Sequence, residues 1–196
     1  MKKKKICIIM MLLFAIMILL VSFASAQDEE QKITDIKNNN KTLLMLGCAI
    51  AVGISGISAA TGLSFSGSAA VAVAAEKPNI SGSKLLVLQV LPMTQSVYGL
   101  LTAILMLMGS GLLAGKDSEV MTNPVIGPAA VSIGIVVALT SISAVNQGIV
   151  ASSSISAVGR NPNVFSKGVI FTVTTETMAI FGLLTAIFMM VGLKLL

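Results

Sequence analysis

Polar residues interrupt this chain in only a few places. Four long apolar stretches run over residues 42–75, 84–115, 123–158 and 167–196. Each exceeds the roughly 20 residues that a helix needs to cross the hydrocarbon core of a bilayer. The polar breaks between them are short. This pattern predicts an all-α membrane protein with four transmembrane helices, arranged as two tandem helical hairpins. Hairpin one covers 42–115, an extracytoplasmic loop 116–122, and hairpin two 123–196.

The first 41 residues read differently. Met1 to Lys5 is basic, Ile6 to Phe23 is apolar, and Ala24-Ser25-Ala26 precedes the acidic Asp28-Glu29-Glu30. A basic start, an apolar middle and an A-x-A end describe a secretory signal peptide over 1–26, cleaved after Ala26. The alternative is an uncleaved anchor forming a fifth helix. In both cases the polar segment 27–41 is expected outside the cell. Lys77, Lys84, Arg160 and Lys167 flank the first and third breaks, against one acid, Glu76. The positive-inside rule puts those breaks in the cytoplasm and the middle one outside. The expected location is the cell membrane, with the mature N-terminus and the C-terminus extracytoplasmic and the loops near Pro78 and Pro162 cytoplasmic.

The two hairpins are copies of one unit. Pro78-Asn79 in the first turn matches Pro162-Asn163 in the second. Downstream, Gly99-Leu100-Leu101-Thr102-Ala103-Ile104 repeats as Gly182-Leu183-Leu184-Thr185-Ala186-Ile187. The offset drops from 84 at the turns to 83 in the second helices, so hairpin one carries an extra residue after its turn. The first and third helices are rich in Gly, Ala and Ser, whereas the second and fourth carry Leu, Ile, Met and Phe. Small faces let helices approach closely in lipid. The expected arrangement is an inner layer of helices one and three, with two and four facing lipid.

Composition narrows the chemistry. Of 196 residues 55% are hydrophobic and 11% charged, which excludes both an ordinary soluble domain and a disordered chain. There is no His and there are two Cys, so neither a His/Cys metal site nor a disulfide framework is expected. The net charge of +5 comes from basic residues at membrane edges and is not read as a nucleic-acid surface. The twelve Met are read as packing residues. Eight acids are present, and seven lie in polar tails or loops. The eighth, Glu176, lies inside the fourth apolar stretch.

A carboxylate at that depth is costly and marks an ion pathway by default. Glu176 lies 14 residues beyond Pro162, and Gln147 lies 15 before it. Thr94 and Gln95 lie 16 and 17 beyond Pro78, or one fewer after removing the extra residue. At about 1.5 Å per residue these groups share one depth on three helices. Tyr98, one turn further along, brings its hydroxyl to the same level. Pro92 removes a helix hydrogen bond and frees carbonyl oxygen nearby. One carboxylate among several neutral oxygens suits a hard alkali cation stripped of water. A proton would need fewer oxygens, so Na⁺ is favoured over H⁺. In hairpin one Met93 stands where Glu176 stands in hairpin two, leaving one ion per four helices.

These residues resemble a known family. Leu91-Pro92-Met93-Thr94-Gln95-Ser96-Val97-Tyr98-Gly99, Asn146-Gln147-Gly148 and Glu176-Thr177-Met178-Ala179-Ile180 look like the duplicated-hairpin proteolipid, the K or c component, of V-type/A-type rotary ATPases, in its bacterial sodium-translocating branch. The resemblance covers about residues 42–196. It implies that Glu176 is the essential carboxylate, with Thr94, Gln95 and Gln147 as side-chain ligands of Na⁺. It adds the main-chain carbonyl of Leu91 as a ligand and Tyr98 as the residue that hydrogen-bonds the carboxylate and locks the site. It implies a ring of identical subunits turning against a membrane stator subunit that offers an Arg, with the cytoplasmic loops on a central-stalk subunit. No Gly-rich phosphate loop with Lys is present, so ATP chemistry would belong to other subunits.

Two other readings use the same pattern. A four-helix secondary cation transporter or channel would also employ Glu176, although the parallel orientation of the repeats is unusual for inverted-repeat transporters. A structural tetraspan protein would leave the oxygen cluster at one depth without a purpose.

Overall fold

The computed structural model describes residues 28–116 and 118–196. The expected signal peptide over 1–26 lies outside the described residues. Among the described residues, four helices are long and apolar enough to cross a membrane: Asp28–Glu76, Gly82–Gly109, Ile126–Arg160 and Pro162–Gly192. We refer to them as spans one to four. Span one is the single helix α1. Span two is α2 (Gly82–Val90) followed by α3 (Thr94–Gly109). Span three is α4 (Ile126–Ser141) and α5 (Ser143–Arg160). Span four contains α6 (Phe165–Thr174) and α7 (Thr177–Gly192).

The spans match the apolar stretches, with shifted ends. Span two stops at Gly109 rather than near 115. Gly111 (φ 77°) and Gly115 (φ 68°) turn the chain there in the left-handed conformation that glycine adopts without strain. The polar segment before residue 42 is helical from Asp28 and continues into the membrane span without a break. Asn40 explains how this extension is tied down. Its Nδ2 donates to the carbonyls of Met121 and Asn123, both at 2.8 Å, and its Oδ1 accepts from Gly127 N–H at 3.0 Å. One buried amide thus satisfies a loop and the first turn of α4, whose N–H groups lack intrahelical partners.

Spans one and three pack backbone to backbone. A Cβ on Gly134 would overlap the carbonyl of Gly47, and one on Gly148 the carbonyl of Gly62. The repeated second helices use their glycines alike. Gly99 lets span two close on Ser55 of span one, and Gly182 lets span four close on Thr140 of span three. The duplicated six-residue segment therefore serves the same close contact in each hairpin. Large apolar side chains such as Leu86, Val97, Leu100, Phe171, Phe181 and Phe188 remain exposed on spans two and four. Spans one and three expose Ile57, Val71, Leu139 and Ile149 as well, so exposure in the single subunit does not divide the helices into an inner and a lipid-facing layer.

Both second helices break at matching places. In span two, Pro92 has no N–H to donate, and Leu91–Met93 form a 3₁₀ turn. Span four breaks at Thr175–Glu176 without a proline. There the hydroxyls of Thr174, Thr175 and Thr177 donate to the carbonyls of Phe171, Thr172 and Thr174. Glu176 N–H in turn donates three residues back, to Val173 O at 3.0 Å. Hydroxyls that bond back to the chain compete with the helix ladder and tighten it.

Candidate functional site

Two apolar clusters fill the bundle. One, with Leu44, Met106, Met121, Ile126 and Met190, lies toward the loop between spans two and three. The other, with Val73, Leu85, Leu88, Ile155 and Val158, lies toward the two proline turns. Between them sits a buried polar layer. It includes Gln95 and Gln147, both 0% exposed, and Glu176 at 7%. Apolar packing above and below separates this layer from either end of the bundle and lowers the local dielectric.

The polar layer contains two hydrogen-bonded groups. In the first, the Tyr98 hydroxyl donates to Glu176 Oε1 at 2.5 Å, joining span two to span four. A separation this short lies at the strong end of O–H···O hydrogen bonds. The second is a chain of donors and acceptors. Thr94 Oγ1 donates to Leu91 O at 2.9 Å and lies 3.3 Å from Gln95 Oε1. Gln95 Nε2 donates to Gln147 Oε1 at 2.7 Å, and Gln147 Nε2 donates to Thr172 O at 3.3 Å. Leu91 O also accepts the backbone N–H of Thr94.

All six residues singled out from the sequence thus fall in these two groups. Leu91, Thr94, Gln95 and Gln147 are linked to one another, and Tyr98 is linked to Glu176. Thr172, which sequence reasoning missed, ends the glutamine chain on the span that carries Glu176. It is buried, its carbonyl accepts from Gln147, and it lies one helical turn before Glu176. Its hydroxyl donates to Gly168 O at 2.8 Å and lies 3.4 Å from Ser154 Oγ. The signal was the Thr–x–x–x–Glu spacing, which puts both side chains on one helix face. Met93 is 53% exposed and points away from the layer, so the hairpin-one counterpart of Glu176 contributes no group to it.

In a multi-pass membrane protein, a carboxylate buried among neutral oxygens is the usual mark of an ion or proton pathway. The chain belongs to the family of the ATP synthase C subunit, whose model matches residues 46–106 and 131–189, one stretch in each hairpin. Members of this family form rings. The chain is 37% identical over 148 residues to the A-type ATP synthase subunit K of Methanocaldococcus jannaschii, covering 75% of this chain and 61% of that protein. It is 33% identical over 147 residues to the V-type sodium ATPase subunit K of Enterococcus hirae, covering 74% of this chain and 88% of that one. It therefore spans about three fifths of the length of the first relative and most of the second.

Proposed function

We propose that this chain is the rotor-ring proteolipid of a V/A-type rotary ATPase and carries Na⁺ on Glu176, one ion for each four-helix subunit. The observation that carries this reading is the burial of Glu176 under the Tyr98 hydroxyl, in the same polar layer as the hydroxyl and amide side chains of Thr94, Gln95 and Gln147 from two other helices. Family membership supports it, and so does the likeness to a V-type sodium ATPase subunit.

In this mechanism Na⁺ binds Glu176 together with Thr94 Oγ1, Gln95 Oε1, Gln147 Oε1 and the Leu91 carbonyl. Hydrogens from the Thr94 hydroxyl and the Gln95 amide now satisfy Leu91 O and Gln147 Oε1. A cation takes over that role for oxygens already gathered, so little has to move. The ion neutralises Glu176, and Tyr98 holds the carboxylate in place. A neutral, closed site tolerates the low dielectric that the subunit meets while facing lipid. At the stator, an Arg competes for the carboxylate, Na⁺ leaves through one half-channel, and a new ion enters through the other. The loops at Pro78 and Pro162 face the cytoplasm and rest on the central stalk, while the helical extension from Asp28 stands outside. ATP is turned over on other subunits. With one carboxylate per duplicated subunit, the complex favours ATP-driven pumping.

Carbodiimide labelling tests this. Glu176 is expected to be the only carboxyl in the membrane that reacts, and Na⁺ near neutral pH is expected to slow the reaction. Labelling that ignores Na⁺ but falls as pH rises would assign the site to H⁺ instead. Absence of labelling at Glu176 would remove the rotor reading.

A further inference from the structure

Asn146 lies in α5, next to Gln147 and about 100° around the helix from it. Its side chain is exposed and makes no hydrogen bond among the described residues. It is 16 residues before Pro162, about 24 Å along the helix from that turn and deep in the span. Lipid offers an amide neither donor nor acceptor at such depth. A second amide, Gln89 of α2, is half-buried and also lacks a partner among the described residues. Gln89 and the α5 residues one turn beyond Asn146 line two different grooves. Gln89 lines a groove with Ala70, Val71 and Ala74 of α1. Asn146 lies one turn from Ile149, in the groove that α5 forms with Gly168 and Phe171.

We propose that Asn146 pairs with Ser64 of the adjoining copy in the ring, and that Gln89 pairs with Ser153 of the copy on its other side. This rests on the ring reading above and identifies which faces meet. Both serines are exposed and have used only their hydrogen. Ser64 Oγ donates to Thr61 O at 2.7 Å, and Ser153 Oγ to Ile149 O at 3.1 Å. Each oxygen keeps lone pairs that can accept from an amide. The levels agree. Asn146 and Ser64 lie 16 and 14 residues before their turn prolines, and Gln89 and Ser153 lie 11 after and 9 before theirs. Each pair is offset by about 3 Å along the axis. Close approach is possible because Gly53, three turns before Ser64 on the same face of α1, has open space where a Cβ would stand. A head-to-tail contact between two different faces closes into a ring when its rotation allows. Amides and hydroxyls that bond across helices are a recurrent means of association in lipid, where burial of apolar surface does not drive it.

The test is disulfide trapping of Asn146→Cys with Ser64→Cys, in a chain whose Cys7 and Cys48 are replaced by Ala. Oxidised membranes are expected to give a ladder of linked subunits, and either single variant a monomer band. An intact ring on a native gel with no ladder overturns the interface. A chain that leaves the membrane as a monomer before any substitution overturns the ring reading, and the interface with it. Should the double variant fail to assemble, Asn146→Leu is measured alone. It is expected to lower the temperature at which the ring dissociates while leaving the Na⁺ protection of Glu176 unchanged. A ring as heat-resistant as the unsubstituted one overturns the pairing.

Discussion

The Tyr98 hydroxyl donates to Glu176 Oε1 across 2.5 Å, although the two residues lie 78 positions apart and in different hairpins. The hairpin that lacks the carboxylate thus has a part in the site. It supplies Tyr98, Thr94 and Gln95, while the other supplies Glu176 and Gln147. The duplicated subunit works as one unit that neither hairpin can form alone.

Removal of that bond has a defined expected effect. Tyr98→Phe keeps the ring shape and deletes one hydrogen bond to a charged group, worth about 1.5–3 kcal/mol. The Na⁺ concentration that protects Glu176 from carbodiimide is expected to rise about tenfold or more. Unchanged protection would show that Tyr98 does not hold the carboxylate.

Glu176→Gln retains an oxygen for the Tyr98 hydroxyl and removes the charge. Transport in reconstituted vesicles is expected to vanish while native gels still show the assembled ring. Residual Na⁺ transport at the original rate would place the ion path elsewhere.

Gln95→Leu deletes the donor to Gln147 and the neighbour of Thr94. Loss of one neutral ligand is expected to weaken Na⁺ binding while Glu176 stays reactive. The readout is ²²Na⁺ binding to the purified ring beside carbodiimide labelling without Na⁺. Loss of both together would point to collapse of the layer rather than loss of a ligand.

Gly148→Leu would drive a side chain into the backbone of Gly62, so the chain is expected not to accumulate in membranes. Gly192→Ala is the control, because a Cβ there meets nothing within 4 Å. Equal expression of the two would contradict the close pairing of spans one and three.

Asn40→Ala removes a hydrogen bond from three backbone groups at the far end of the bundle, of which the Asn123 carbonyl keeps the Ile126 N–H. A loss of about 1–3 kcal/mol is expected for buried groups left unsatisfied. It should appear as a lower unfolding temperature with Na⁺ protection intact. An unshifted transition would mean that the loop does not depend on the clamp.

Much of this was legible along the chain. Length and apolarity defined four spans, because a bilayer offers backbone groups no partner and leaves a helix as the simplest solution. The repeat, the isolation of Glu176 and the shared depth of Thr94, Gln95 and Gln147 followed from counting residues at a fixed rise per residue. Counting works in a membrane helix because both the rise and the direction are constrained. The break at Thr175–Glu176 was less visible, since hydroxyls rather than a proline cause it. The helical extension before residue 42 and its anchor at Asn40 were not visible at all, because Asn40 acts on a loop 81 to 87 residues away.

The sequence by itself determined which residues reach the middle of the membrane and at what height. Helix periodicity and the cost of a buried charge are local matters. Only the tertiary structure decided which of them touch. It separated the Thr94–Gln95–Gln147 chain from the Tyr98–Glu176 pair and turned Asn146 away from both. The angle of each helix about its axis follows from glycine contacts between helices, one with three, two with one and four with three, and no single helix encodes it.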